Sequence, residues 1–558
     1  MSSEQIAEAL REAATELGAD DIRFRLDRPK DAKHGDLASN VALTLSSRLR
    51  RPPRDIAEEI KTRLESVAGV DRVEVAGPGF LNVFLEGAAA GEVLRRIRVL
   101  GGRYGRNDAG AERRVMVEFV SANPTGPLHL GHGRQAALGD AIATLLEWSG
   151  WQVHREFYFN DAGGQIARLA QSVRARYQQQ LGHDEAIPDG GYHGDYVSEI
   201  ARALIAEAGD RYENDSSEAA LEAMRGHAVR LLRREQEVDL AAFGVHFDEY
   251  YPESRLYSDG CVARTVRDLD GTGLTYRKDG ADWLRTSEFG DQKDRVMVKR
   301  DGSPTYFLPD VAYHVTKWER DFTEVINVQG SDHHSTVDRV RAGLQALGLP
   351  AGYPEYLLHQ MVTVEHGGEE VKFSKRAGSY TTLAELVAEV GTDVARYFFL
   401  MRRPEAHLTF DLDLALDQSD KNPVYKVKYA HARVCRLFEL ARKRGWAEVP
   451  PDADIALLDA PLERELINQL REFPAFLRRA ATGRAPHVIC DYLEKTAGLV
   501  NSWYQAGHPT RSPEQAALVD NEALRNARLT LADAARIVLR NGLQVLGIEA
   551  PERMVRDE

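Results

Sequence analysis

Val115-Met-Val-Glu-Phe-Val120 is a dense apolar run that breaks into a glycine- and proline-rich turn, then into a helical stretch closing at Trp148. Such a run suits a strand covered on both faces of a parallel sheet. A second one, Val153-His-Arg-Glu-Phe-Tyr-Phe159, follows. Strand, turn, helix from about Gly133 to Trp148, and strand make a βαβ unit. That unit confines the region to a doubly wound, Rossmann-like α/β fold whose ligands gather at the carboxyl ends of the strands. Alternation resumes in Val325-Ile-Asn-Val-Gln329 and a helix from Ser335 to Leu347. The mostly helical stretch between, about residues 165–290, is expected to be an insertion between two halves of one fold.

A chain of 558 residues exceeds one core. Residues 1–105 read as an α+β domain, with a helix around Ile6–Ala14, another from Leu37 to Leu49 and a third after Pro53. Val73-Glu-Val75 and Phe80-Leu-Asn-Val-Phe84 read as strands around the turn Ala76-Gly-Pro-Gly79. Residues 106–385 hold the α/β unit. Residues 386–558 read as a helical bundle, with turns near Pro404, Pro450, Pro509 and Asn541-Gly542. No apolar run is long enough for a membrane span, and the acid-bearing N-terminus lacks the apolar core of a secretory signal. Cys261, Cys435 and Cys490 are scattered, without zinc or disulfide spacing, so a reducing cytoplasm and no structural metal are expected. A net charge of −14 argues against a nonspecific DNA coat but leaves local RNA-binding patches open.

The turn after the first strand reads Asn123-Pro-Thr-Gly-Pro-Leu-His129-Leu-Gly-His132-Gly-Arg134. Free N–H groups at a helix start, with the positive end of the helix dipole, attract phosphate. Gly126, Gly131 and Gly133 allow a tight turn and close approach to a ligand. His129 and His132, three apart, share a face and can donate to phosphate oxygens as charge builds. Two polar histidines at a turn, or half of a metal site, are the alternatives. Lys372-Phe-Ser374-Lys375-Arg376 is a basic segment that can close over a triphosphate or simply face water. Glu118 and Asp310 are carboxylates in apolar contexts, where an unpaired charge is costly. Internal salt bridges and a bound cation are both open readings.

The two motifs, in this order, resemble the nucleotide-binding signatures of class I aminoacyl-tRNA synthetases. The stretch Phe119-Val-Ser-Ala-Asn-Pro-Thr-Gly-Pro resembles their arginyl branch. The resemblance covers essentially the whole chain. It implies ATP-dependent ligation of L-arginine to tRNA(Arg) through arginyl-adenylate, with Mg2+ carried by ATP. Within it His129, His132 and Lys375 are the catalytic group. Pro124, Gly126, Leu130, Gly131, Gly133, Asp332, His333, Lys372 and Ser374 bind ATP. Glu118 and Asn123 meet the arginine ammonium and nearby polar groups, Tyr306, Asp310 and Tyr313 line the side-chain pocket, and Gln329 completes the arginine site. The bundle becomes an anticodon-binding domain with Tyr425, Tyr429, Arg433 and Trp503 toward tRNA, and the N-terminal domain offers Lys33, His34 and Phe80 to the tRNA elbow. Tyr192-His-Gly-Asp-Tyr196 falls near the pocket. The implied protein is a cytoplasmic monomer.

Two other classes fit parts of the pattern. An adenylate-forming nucleotidyltransferase shares the histidine-glycine signature but usually lacks so large a helical C-terminal region. A noncatalytic synthetase-like RNA-binding module would be expected to lose His129, His132 or Lys375, and all are present. A zinc pair at His333-His334 is a further alternative.

Overall fold

Ile6, Leu10, Ala13 and Ala14 recur at helical spacing, and all are buried on one face of α1 (Ser3–Glu16). The computed structural model describes residues 3–27, 29, 34–85, 87–371, 382–446, 449–507 and 512–554. Strands β1 (Leu26–Asp27), β2 (Leu37–Ser39), β3 (Val70–Ala76) and β4 (Phe80–Leu85) form an antiparallel sheet in the order β1-β2-β4-β3. Helices α1, α2 (Val41–Leu49) and α3 (Pro53–Leu64) share its core. The helix expected from Leu37 starts later. Leu37 and Ser39 alternate inward and pair with Val83 and Leu81, and the helix begins only at Val41, whose N–H donates to Ser39 Oγ at 3.2 Å. Lys33 and the expected turn at Pro509 lie outside the described residues.

Helix α4 (Gly87–Leu100) leads into β5 (Arg114–Glu118), α5 (Leu130–Trp148) and β6 (Gln152–Phe159). Three long helices follow, α6 (Gly163–Gln180), α7 (Asp195–Ala208) and α8 (Glu218–Ala242), with their own apolar cluster. The chain then enters β7 (Glu249–Pro252), which pairs parallel with β6. The stretch expected as one insertion thus contains a strand of the central sheet. Helices α9 (Ser254–Ser258) and α10 (Cys261–Gly271) and an antiparallel sheet of β8 (Thr275–Lys278), β9 (Ala281–Leu284) and β10 (Arg295–Val298) precede α11 (Phe307–Glu319), β11 (Val325–Gly330), α12 (His334–Ala346) and β12 (Glu355–His359). The five-stranded parallel sheet runs β12-β11-β5-β6-β7. The chain steps outward from β5 to β7, then returns to place β11 on the other side of β5. The switch point between β5 and β11 is where a doubly wound sheet opens a crevice.

Strands β13 (Val362–His366) and β14 (Glu369–Glu370), helices α13 (Leu383–Val390) and α14 (Thr392–Leu400), strand β15 (Leu408–Asp411) and helix α15 (Leu412–Leu416) join the sheet domain to a bundle. The bundle comprises α16 (Pro423–Lys443), α17 (Pro461–Arg471), α18 (Phe473–Thr482), α19 (His487–Ala506) and α20 (Glu522–Val545). Asn541-Gly542, expected to be a turn, lies inside α20. The Asn541 amide donates to the carbonyls of Gly101 and Tyr104 at 2.9 and 3.1 Å, and a Cβ on Gly542 would sit 2.6 Å from Leu493 Cδ2. The pair serves close packing rather than chain reversal. Arg396, fully buried on α14, donates to Asp140 of α5 at 2.5 Å, to Phe243 O and to Leu546 O, tying sheet domain, inserted helices and bundle together. No described helix is long and apolar enough to cross a membrane.

Candidate active site

The backbone leaving β5 is strained. Val120 and Ser121 have φ of +67° and +43°, a left-handed conformation that a β-branched residue adopts only when held there. Ser121 Oγ does the holding, donating to Glu118 Oε1 at 2.9 Å while accepting Tyr158 N–H at 3.2 Å. The loop then delivers His129 to the N-cap of α5. His129 Nδ1 accepts the N–H groups of Gly131 and His132 at 3.1 and 3.4 Å, and His132 Nδ1 accepts His129 N–H at 3.3 Å. The rings stack with centroids 3.7 Å apart. Since each Nδ1 accepts, the proton of each neutral ring sits on Nε2 as a donor. The helix starts at Leu130, so Gly131 and Gly133 are helical rather than turn residues. Their use is closeness: a Cβ on Gly133 would lie 2.7 Å from Leu383 Cδ1.

Lys372, Ser374 and Lys375 lie outside the described residues. The chain just beyond them is seated on the histidine turn. Thr382 forms an antiparallel bridge with His129, and Leu383 N–H donates to Leu128 O at 2.8 Å. Arg134, fully exposure-free, gives its guanidinium to the carbonyls of Gln360, Arg403 and Ala406, at 2.7 to 3.1 Å. Burial pulls it down to about 10, only partly opposed by the Glu405 carboxylate. Gln135 Nε2 donates to Val328 O, joining α5 to β11 across the switch point.

The acids divide sharply. Glu118 is 3 % exposed, and Lys317 Nζ, itself fully buried, donates to its Oε2 at 2.5 Å and to Asn327 Oδ1 at 3.1 Å. Burial lowers the Lys317 ammonium, and Glu118 opposes that shift. Glu118 is therefore an internal salt-bridge partner, the open alternative of the sequence reading, and not an uncommitted ligand for an ammonium. Glu156 is held bidentately by Arg320 at 2.7 and 2.8 Å and accepts Tyr313 OH at 2.7 Å. Its burial favours the neutral form, but His154 and Arg320 outweigh it and bring the carboxyl to about 2. His154, Glu156 and Glu249 cluster at metal-ligand spacing, but Arg320 already bridges the two acids, at 2.7 and 2.9 Å.

Asp310 differs. It is half-buried on α11, and no side chain among the described residues gives it a hydrogen bond or ion pair. Burial, only partly offset by Arg339 and reinforced by Glu253 and Glu118, pushes its carboxyl up to about 7. Glu253, just past β7, is also raised by burial and accepts Tyr158 OH at 2.8 Å. The Tyr158 and Tyr313 rings lie 4.2 Å apart beside them. Tyr313 is thus a wall whose hydroxyl is committed to Glu156, while Tyr306 is 77 % exposed at the start of α11. Gln329, at the end of β11, keeps a buried Oε1 with no hydrogen-bond partner among the described residues. Asn123 spends its side chain on structure, donating to Gln165 Oε1 at 3.1 Å and accepting Asn160 N–H at 3.0 Å. Asp332 and His333 are exposed after β11, with only a loose 3.9 Å contact between them.

Lys317 and Glu253 were missed from the sequence. Asp310, Tyr313 and Lys317 fall on one helical stripe, a signal that was available. Glu253 was hidden because β7 is short and embedded among helices.

Two residues expected at an RNA surface are core. Trp503 is 4 % and Tyr425 9 % exposed, packed by the apolar faces of α19 and α16. Tyr429 and Arg433 are half-buried, with the guanidinium 4.6 Å over Tyr429 and 5.0 Å over Tyr504 and donating to Asn501 at 2.8 Å. Lys428 is paired with Asp393. Phe80 is 42 % exposed and His34 is exposed.

Three family descriptions match in order: an arginyl tRNA synthetase N terminal domain over residues 2–85, a tRNA synthetases class I (R) catalytic domain over 94–403, and a DALR anticodon binding domain over 427–554. The chain is 50 % identical to the arginine–tRNA ligase of Thiobacillus denitrificans, over 98 % of each chain. It is likewise 50 % identical to that of Geotalea daltonii, over 95 % of this chain and 94 % of the relative. The structure of Thermus thermophilus arginyl-tRNA synthetase superposes with a TM-score of 0.76 at 26 % identity, covering 99 % of this chain and all of that one.

Proposed function

The chain belongs to the arginyl-tRNA synthetases of class I, and from that premise we propose how its residues divide the work. It is an arginine–tRNA ligase that uses ATP to form arginyl-adenylate, transfers the arginyl group to tRNA, and releases AMP and diphosphate. The arginine carboxylate attacks the α-phosphate and diphosphate leaves; the terminal ribose hydroxyl of the tRNA then attacks the acyl carbon and AMP leaves.

His129 and His132 present Nε2 donors at the N-terminus of α5, where charge on the α-phosphate builds. ATP is also assigned to Pro124 and Gly126 in the turn, to Leu130, Gly131 and Gly133 in the first turn of α5, and to Asp332 and His333 just after β11. Lys375, supported by Lys372 and Ser374, meets the departing diphosphate. Mg2+ arrives with ATP and screens its phosphates. Asp310 takes the guanidinium, because it is a carboxyl raised by burial to which no side chain among the described residues gives a hydrogen bond or ion pair. Glu253, Tyr306 and Tyr313 surround that position. Gln329 Oε1 accepts from the arginine ammonium, whereas Glu118 and Asn123 act one step back, fixing Ser121 and the loop. On the RNA side we assign Lys33, His34 and Phe80 to the tRNA elbow and Tyr429 and Arg433 to the anticodon arm of tRNA(Arg). The enzyme works as a cytoplasmic monomer.

The observation that carries this reading is the His129–Thr382 bridge, which seats the chain that follows the lysine motif on the histidine turn. ATP–diphosphate exchange across the amino acids, with and without tRNA, tests it. Exchange specific to arginine and dependent on tRNA is expected, and abolished in His132→Ala and Lys375→Ala with the fold intact. Wild-type exchange in both variants would refute the site.

A further inference from the structure

The nucleotide turn is irregular backbone, so its carbonyls must find donors outside regular structure. The inserted helices supply them. Gln236 of α8 is 1 % exposed, and its Nε2 donates to Asn123 O at 3.2 Å and Gly126 O at 3.1 Å. Tyr196 of α7 donates its hydroxyl to Thr125 O at 2.8 Å. Gln236 Oε1 accepts from Arg233 NH1 at 2.7 Å. A guanidinium only donates and a backbone carbonyl only accepts, so this amide has one workable orientation. Arg233 is itself fixed, with its guanidinium 4.4, 4.9 and 4.4 Å from the ring centres of Phe157, Phe159 and Tyr250 at the β6–β7 edge. The chain of contacts thus runs from the sheet through Arg233 and Gln236 to the backbone that carries His129.

We propose that Gln236, oriented by Arg233, is a positioning residue for adenylate formation: the inserted helix α8 sets the height of the Asn123–Gly126 backbone and so the placement of the histidine turn against the α-phosphate. This rests on the reading that the turn binds ATP. A side chain that touches no substrate but fixes the reacting geometry acts on the rate of the chemical step more than on substrate affinity.

The test is ATP–diphosphate exchange by the full chain with arginine and tRNA, in Gln236→Leu, Gln236→Glu, Tyr196→Phe and His132→Ala, beside thermal unfolding. Gln236→Leu removes both donors. Gln236→Glu keeps the size and the Arg233 contact but turns an oxygen toward two carbonyls. Both are expected to lose about 10²-fold in kcat, with KM for ATP changed only a few-fold and the unfolding midpoint nearly kept. Tyr196→Phe, losing one contact, should lose less. A packing role alone would leave Gln236→Glu with wild-type kcat, and that result overturns the inference. Should both Gln236 variants fail to fold, Tyr196→Phe decides, since unchanged kcat there overturns it too. The two readings fail separately: an active His132→Ala removes the ATP assignment, whereas an inactive His132→Ala beside fully active, folded Gln236 variants removes only the positioning role.

Discussion

Helix α11 treats its two acidic neighbours in opposite ways. Its Lys317 closes Glu118 into a buried ion pair, while its own Asp310, two turns earlier, has no ion pair among the described residues. A buried pair is tolerated because each charge solvates the other. A buried acid without a partner holds its proton, and it marks where a ligand's charge is expected. The contrast separates acids that build the wall of the cleft from the acid that faces the substrate.

The sharpest way to break that distinction is to open the closed pair. Lys317→Met leaves Glu118 buried and unpaired, and denaturant unfolding should show a loss of about 3–5 kcal/mol. Glu118→Gln added to it should recover most of that, and a single variant as stable as wild type would mean the pair is not sealed. Asp310→Asn should act the other way. The fold should hold or gain slightly, while kcat/KM for arginine falls about 10²-fold, the cost of a charged hydrogen-bonded contact, with KM for ATP nearly constant. Equal damage to arginine and ATP kinetics would return Asp310 to the structural class.

Proton linkage sharpens the same point. Burial raises the Asp310 carboxyl from 3.8 to about 7, so the guanidinium must displace a proton at lower pH. In the wild type, kcat/KM for arginine should fall about tenfold per pH unit below 7 and level above it, and Asp310→Asn should flatten this limb. For stability the sign is reversed: the raised carboxyl favours the native state fully below 3.8, and that contribution is lost as pH rises through about 7. The smallest effect is expected from Tyr158→Phe, which removes the hydroxyl donor from Glu253. Arginine KM should move by a factor corresponding to about 1 kcal/mol or less. A larger change than in Asp310→Asn would make Glu253 the principal guanidinium partner.

The elements that carry strong local signals were legible. β5, β6 and β11 are dense apolar runs, α5 follows its glycine turn, and the histidine pair sits where strand, turn and helix predict an anion site. β7 was not legible, because Glu249–Pro252 is short, half-exposed and flanked by helices. The roles of Trp503 and Tyr425 were not either, since an aromatic on an amphipathic helix has the same spacing whether it stacks on a base or fills a core. Asn541-Gly542 has turn chemistry, but tertiary packing against Leu493 and donation to Gly101 and Tyr104 override it.

The order β5, α5, β6 and β11 follows from the residues alone, because hydrophobic periodicity and backbone preference act over a few neighbours. So do the doubly wound topology and the identity of the histidine and lysine motifs. Which acids are neutralised was decided only by the folded chain. Lys317 meets Glu118 across 199 residues of sequence, and Gln236 reaches Asn123 across 113. Partnerships at that separation depend on packed distances of about 3 Å, and no local pattern encodes them.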